Sequence, residues 1–310
     1  MSRGAGTSAS PYLIGSVAEL QEIGSLAFSY SSASPMFCRQ DAHITLSGNW
    51  VPVGKTPYRI IPMDYNGDGY SITGLNQSGE YGGVFYSVYG RFRNLQVFGN
   101  VTASSLAGKF STQLYAIPVF GGSVLDNCQS HGSVTGNSAG GFCSYLNFLS
   151  GTSVIYITNC LVTGTVSGSQ GAGGLAASLS QSTSINSGVV QASVTGGGYC
   201  GGFFGLTGNA AISYTGGASV HRDTATNTSG FSNLAYDSTR KRTLVQLRQQ
   251  ATYTSFDFIN TWVMFEEQTV PWMRLFRAPT PVAAPSPAGG TYTSNPLVAL
   301  THAASSTGTP

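Results

Sequence analysis

Apolar and polar positions alternate in short runs along the middle of this chain, and the same run returns four times. "FRNLQVFGNVT" (92–102), "LDNCQSHGSVT" (125–135), "ITNCLVTGTVS" (157–167) and "INSGVVQASVT" (185–195) superpose without a gap. Each opens on an apolar residue (Phe92, Leu125, Ile157, Ile185) and ends on a valine followed by a hydroxyl (Val101, Val134, Val166, Val194). A glycine signature comes after each: "AGKF" at 107, "AGGF" at 139, "AGGL" at 172 and "CGGF" at 200, with "YGGVF" at 81 ahead of the first. Short β-patterned pieces and glycine turns repeating about every 30 residues predict a stacked array of coils, not a globule.

In such a stack every residue lies on its counterpart one coil away, about 4.8 Å distant. The opening apolar residues form one internal column and the valines a second. Val84, Phe110, Phe142, Leu175 and Phe203 form a third. Strand alternation points Asn94, Asn127, Asn159 and Ser187 the same way as the first column, where side-chain amides can bond along a ladder. Gly99, Gly132, Gly164 and Ala192 mark a corner that a Cβ would crowd. The fold class is therefore all-β: a parallel β-solenoid, a right-handed β-helix, with short helical caps at both ends. Open ends would expose unpaired strands, so caps are needed. At the start, Ser16 stands three residues before Glu19 as a capping box and Gly24 reads as the helix stop. Near the finish, Thr243 is the expected N-cap of "TLVQLRQQATY", with Leu244, Leu247 and Ala251 on one face and Trp262 and Trp272 covering the last coil.

These patterns divide the chain. Residues 1–10 read as a flexible N-terminus, 11–80 as the N-terminal cap and first coils, and 81–236 as the repeats. Residues 237–277 read as the C-terminal cap with its helix, and 278–310 as a proline-rich linker with a truncated β-sandwich start.

Composition narrows the picture. Only 8% of the 310 residues are charged and the net charge is +2, so the surface stays wet through hydroxyls and amides. The one dense basic run, Arg240-Lys241-Arg242, is too small for the broad basic face that nucleic acid requires. No apolar run approaches a membrane span, so no membrane insertion is expected. The first thirty residues lack a charged segment followed by an apolar one: either export by that route does not occur, or its signal lies outside this chain. Five cysteines without a CxxC pair argue against zinc.

From "GTSASPYLIGSVAELQEIG" through "ITLSGNWVPVG", "MDYNGDGYSITGL", the asparagine-cysteine repeats and "LVQLRQQATYTSFDF" to "VPWMRLF", the chain resembles the GLUG-motif repeat proteins of bacterial surfaces and adhesin-like secreted proteins. The tail "PSPAGGTYTSNPLVAL" is similar to the opening of a chitobiase C-terminal-like β-sandwich repeat. The resemblance implies an extracellular or cell-surface β-solenoid and carries over no catalytic residue. One departure is that Gly188 stands where Cys128 and Cys160 do.

Candidate chemistry is sparse. "GNSAG" around Ser138 matches a nucleophile elbow but lacks the strand-to-helix turn that motif needs, and Gln170 and Tyr199 are the expected counterparts of Ser138. Asp64, Asn66 and Asp68 have calcium-loop spacing with Gly69 sixth, but Leu75 stands where a bidentate glutamate should. No cofactor is expected, and calcium at this turn is the one candidate. Cys128 and Cys160 share a column at a spacing compatible with a disulfide or with two packed thiols. Two hydroxyl rows flank the valines: Asn100, Ser133, Thr165 and Ser193, and Thr102, Thr135, Ser167 and Thr195. The segments 111–122 and 144–154 read as loop insertions, whose Tyr115, Phe120, Tyr145 and Phe148 suit stacking on sugar rings. The expected function is a non-enzymatic structural or adhesion module with a glycan or a host or cell surface as partner, binding through those aromatics and through Thr135, Thr165 and Thr195. The alternatives are an ice-binding solenoid using the hydroxyl rows, a phage receptor-binding spike, and a polysaccharide-active enzyme. Oligomeric state is not legible.

Overall fold

A computed structural model describes residues 3–55, 59–148, 154–207, 210–215, 219–222, 240–265, 267 and 269–276. The linker and sandwich start expected at 278–310 lie outside the described residues, as do residues 149–153 of one expected insertion.

The chain is a parallel β-solenoid of about seven turns. The first apolar column extends well beyond the four repeats: Tyr12, Cys38, Tyr65, Phe92, Leu125, Ile157, Ile185 and Tyr214 lie in register, each on the next. The valines also form one file, Val101 on Val134 on Val166 on Val194, all 2% exposed or less, with Gln77 above them. Phe110, Phe142, Leu175 and Phe203 follow one another through backbone bonds at the Gly-Gly corner and are buried. Burying one such side chain contributes roughly 1.5–3 kcal/mol, so these columns hold the coils together.

The corners differ in chemistry. Gly132 and Gly164 have φ of 104° and 95°, and a Cβ on either would come within 2.2 Å of the carbonyl oxygen of the corner glycine one coil back. Ala192 turns differently: its N–H and that of Gln191 both donate to the Val162 carbonyl. The asparagine ladder exists, but not as strand alternation would have it. Asn94, Asn127, Asn159 and Ser187 are in the left-handed region at φ 53°, 52°, 49° and 56°, so this column is itself a corner. Asparagine tolerates that conformation better than any other residue except glycine. Asn159 donates to Asn127, Asn127 to Asn94 and Asn94 to Asn66, at 3.0, 3.0 and 2.9 Å. Ser187 turns to Asn186 and ends the ladder.

Several expectations need correction. The segments read as insertions are mostly strand: Ser111–Ala116 and Cys143–Phe148 pair with each other in parallel register, and the second also pairs with Ala176–Leu179, forming a third sheet of the solenoid. Among the described residues of these segments, 117–122 depart as a loop with a short 3-10 turn at Pro118–Phe120. Helix α1, Val17–Leu26, has Ser16 as N-cap, but Glu19 Oε2 reaches past Ser16 to accept from the Gly15 N–H. Gly24 does not stop it. It lies inside the helix, where a Cβ would press on Val53 and Gly54 at 3.3–3.4 Å. Residues 3–10 are tied down, with Arg3 paired to Asp41 and Glu19 and the Ala5 carbonyl accepting from Tyr30.

At the other end Thr243 and Gln246 form a full capping box, yet helix α2 spans only Leu244–Leu247. Of the expected face, Leu247 is buried and Ala251 exposed. Trp262 is 1% exposed but Trp272 is 49% exposed, because the short antiparallel pair Trp262–Val263 with Trp272–Met273 turns Met273 inward instead. Leu247, Tyr253, Phe256, Trp262 and Met273 pack on Leu161, Val189 and Val220. Those three form one column between the core-facing Cys160 and Val162. The C-terminal segment thus covers a flank of the solenoid.

Candidate binding surface

The third sheet carries a strip of tyrosines. Tyr89 and Tyr115 pair in register, their rings edge-on at 4.7 Å between centroids. Asn147 follows Tyr115 one coil on, and Tyr145 follows Gln113. Tyr145 is 38% exposed. Inward-facing Val88, Leu114 and Leu146 alternate with these positions and anchor the strip in the core. Burial, with Tyr89, Tyr145 and Tyr86 nearby, raises the Tyr115 phenol, which stays neutral at physiological pH. The surface offers rings with amide side chains between them, and no charge.

Around the corner from Tyr89 lies an arginine cluster. Both oxygens of fully buried Asp64 are engaged, one by Arg91 Nη2 at 2.8 Å and one by Arg93 Nε at 2.9 Å. The Phe120 ring covers Arg91 with its centroid 4.4 Å from the guanidinium carbon, and Phe37 meets Phe120 edge-on at 6.2 Å. Asp126 follows Arg93 in register. Its carboxyl is pushed up by burial, an effect opposed by Arg91 and Arg93. Ser8, Ala9, Pro11, Phe37, Arg39, Asn66 and Arg93 line a cleft of about 230 Å³.

Of the residues singled out from sequence, Tyr115 and Tyr145 lie together on the strip. Phe120 belongs to the arginine corner, and Phe148 is 5% exposed in the core. Thr135, Thr165 and Thr195 lie in the two hydroxyl rows, which run in register and gain one rung above, Asn76 on Asn100 and Ser78 on Thr102. Ser133 gives both its N–H and its hydroxyl to Asn100 Oδ1. Asn66 Oδ1 accepts from Asn94 and from the Asp68 N–H, and Asp68 has φ 51°, so these residues shape a turn and start the ladder. A cation bound by Asp64 would have to displace two arginines. Among the described residues no three His, Cys, Asp or Glu side chains come together to hold a metal ion.

Ser138 lies near the end of strand Ser123–Gly140, opposite Gly171 and not Gln170, because the register shifts between Gly168 and Gly171. Tyr199 lies over Gly171 and its hydroxyl reaches Ser138 Oγ at 3.3 Å. All five cysteines are buried thiols without disulfides. Burial raises Cys38, Cys143 and Cys160, the last also through its contact with Cys128.

One group had no sequence signal beyond a single odd letter, the lysine in "AGKF". Lys109 is fully buried, and its ammonium donates to the carbonyls of Gly99, His131 and Ser133. Burial pushes it down to about 7. His131 stacks on Phe98 at 4.4 Å and contacts Gln129 and Thr163; burial, and then the charge of Lys109, push it down to about 4.

The fold defines the class: a parallel β-solenoid with a flanking C-terminal segment. No family model and no curated protein match the chain. The crystal structure of a putative immunoglobulin A1 protease from Bacteroides ovatus is similar, with a TM-score of 0.61 over 88% of this chain and 95% of that one, at 16% sequence identity. At that identity the likeness is one of fold: it supports the β-solenoid and assigns no family.

Proposed function

We propose that this chain is a rigid extracellular or cell-surface module that binds glycan through the tyrosine strip. The observation that carries the reading is a pair of neighbouring register files on one face of the third sheet, Tyr89 with Tyr115 and Asn147, and Gln113 with Tyr145. Sugar rings present C–H faces that lie on aromatic rings and hydroxyls that bond to amides, and an uncharged strip on a stiff scaffold supplies both without reorganisation. The protease named for the similar Bacteroides protein is not extended to this chain, because its five thiols are buried and its Ser138 hydroxyl faces Tyr199. Glycan-array screening of the purified chain tests the proposal. Tyr115→Ala and Tyr145→Ala should each weaken the best binder at least about tenfold, roughly 1.4 kcal/mol, with the melting temperature of Tyr145→Ala unchanged. No binder, or binding indifferent to both variants, would contradict it.

A second reading rests on the two parallel hydroxyl rows, whose regular spacing suits an ice lattice. Thermal hysteresis of the purified chain, lost in Thr135→Lys, would support it; no hysteresis would leave the rows as a solvating surface.

A further inference from the structure

Two residues beyond Tyr89 the same strand passes Gly90 and enters the arginine corner, so the tyrosine strip and the cationic cleft are consecutive stations on one surface. The bridge is aromatic: Phe120 covers Arg91, Phe37 touches Phe120, and Phe37 lines the cleft. Inside the cleft, Arg39, Asn66 and Arg93 form one register file. They alternate with the buried Cys38, Tyr65 and Phe92, so they point outward. One level separates neighbours, which places the Arg39 and Arg93 backbones about 10 Å apart with the asparagine amide between them.

The charge here is not balanced. Asp64 holds Arg91 and Arg93 from below, using Nη2 of the first and Nε of the second. The Arg39 side chain is exposed and, among the described residues, makes no hydrogen bond or ion pair. Asp126 lies beneath Arg93, half-buried, so three guanidiniums stand against two carboxylates. In a chain with only 14 basic residues, two guanidiniums lining one cleft, with a third on the carboxylate that holds Arg93, are a concentration that solvation does not require. The planar donors of arginine match a carboxylate or a sulfate ester, two oxygens at a time.

We propose that this cleft takes the anionic group of an acidic sugar while neighbouring sugars lie on Tyr89, Tyr115 and Tyr145, so that the ligand is an acidic oligosaccharide. The proposal rests on the glycan reading above and names its substrate class. Arg39 supplies the free cation, Arg93 the second face, and Asn66 an amide between them.

Titration calorimetry of the full chain with length-matched uronate, sulfated and neutral oligosaccharides, at low and moderate salt, tests it. Acidic oligosaccharides should bind at least about tenfold tighter than neutral ones, with the advantage shrinking as salt rises. The better of the uronate and sulfate arms identifies which anion the cleft takes. Arg39→Gln should remove most of the acidic preference, while Arg39→Lys retains more of it. Arg39 is exposed, so both variants should melt as the parent does. Equal binding of acidic and neutral sugars, or an acidic preference untouched by Arg39→Gln, overturns the acidic-ligand proposal and leaves the glycan reading standing. If no saccharide of any class binds, both fall.

Discussion

Lys109 occupies the position that is Gly141, Gly174 and Gly202 in the later coils, and Ser130 occupies the position of Val162, Val190 and His221. A Cβ on Gly141 would come within 2.7 Å of the Val162 side chain; on Gly174, within 2.4 Å of Val190; on Gly202, within 2.2 Å of His221. The first position and the second therefore fill one space, with glycine facing a large side chain in three coils and lysine facing a small one in the fourth. Lys109→Gly leaves a void and removes the donor from three carbonyls, at roughly 1 kcal/mol for each unsatisfied group, so it should cost about 3 kcal/mol or more. Ser130→Val forces a branched group against the lysine stem, about 1–3 kcal/mol, and loses the hydrogen bond to the Gly141 carbonyl at 2.7 Å, about 1 kcal/mol. Together the two changes recreate the pairing of the next coil. The double variant should be at least about 2 kcal/mol more stable than the sum of the singles predicts, measured by urea unfolding followed by circular dichroism. The double variant should also lose a pH dependence. Burial holds folded Lys109 near 7 against 10.5 for the ordinary lysine, so between those values the unfolded chain carries a proton that the folded chain has released. Parent stability should therefore rise with pH across that window, by at most about 1.4 kcal/mol per unit, and the double variant, which lacks the lysine, should show no such rise. Singles that add within about 0.5 kcal/mol would refute the shared-space argument.

Other parts of the structure make their own predictions. Asn127→Ala breaks two ladder bonds at about 1 kcal/mol each and puts alanine at φ 52°, about 1 kcal/mol more, so thermal unfolding should report a loss of about 3 kcal/mol. Trp262→Ala should cost about 3–5 kcal/mol by the same measurement and Trp272→Ala less than about 1, despite their equal standing in the sequence. His131 is held near 4 when folded against 6.5 ordinarily, so the unfolded chain takes up its proton first as pH falls. Its contribution to stability should fade between pH 6.5 and 4, and His131→Gln should flatten that part of an acid titration.

The solenoid was legible because its columns repeat one chemistry at one spacing: Val101, Val134, Val166 and Val194 announce their stacking by identity alone. The asparagine column was equally visible, but its backbone was not, since a period-two reading has no way to mark a residue at positive φ inside an extended run. The third sheet was hidden for a different reason. Its strands, Ser111–Ala116 and Cys143–Phe148, share little side-chain identity and pair through backbone bonds that impose no residue type. Tyr115 and Tyr145 therefore lie on strands, not on the loops that the sequence suggests. Phe148 was misjudged because alternation along its strand turns it inward. The arginine corner left no local signal: Arg39, Asp64, Arg91 and Arg93 come from three successive turns and meet only through register.

That register is the claim on which everything else depends, and Ser78, Thr102, Thr135, Ser167 and Thr195 should form one outward file of five consecutive levels. Nitroxide labels on cysteines introduced at Ser78 and Thr195, both exposed while the five native thiols are buried, measure its length by pulsed electron spin resonance. The stack predicts backbone positions about 19 Å apart, with a single narrow distance distribution broadened only by the labels. A mean beyond about 30 Å, or a distribution without a dominant peak, would contradict it.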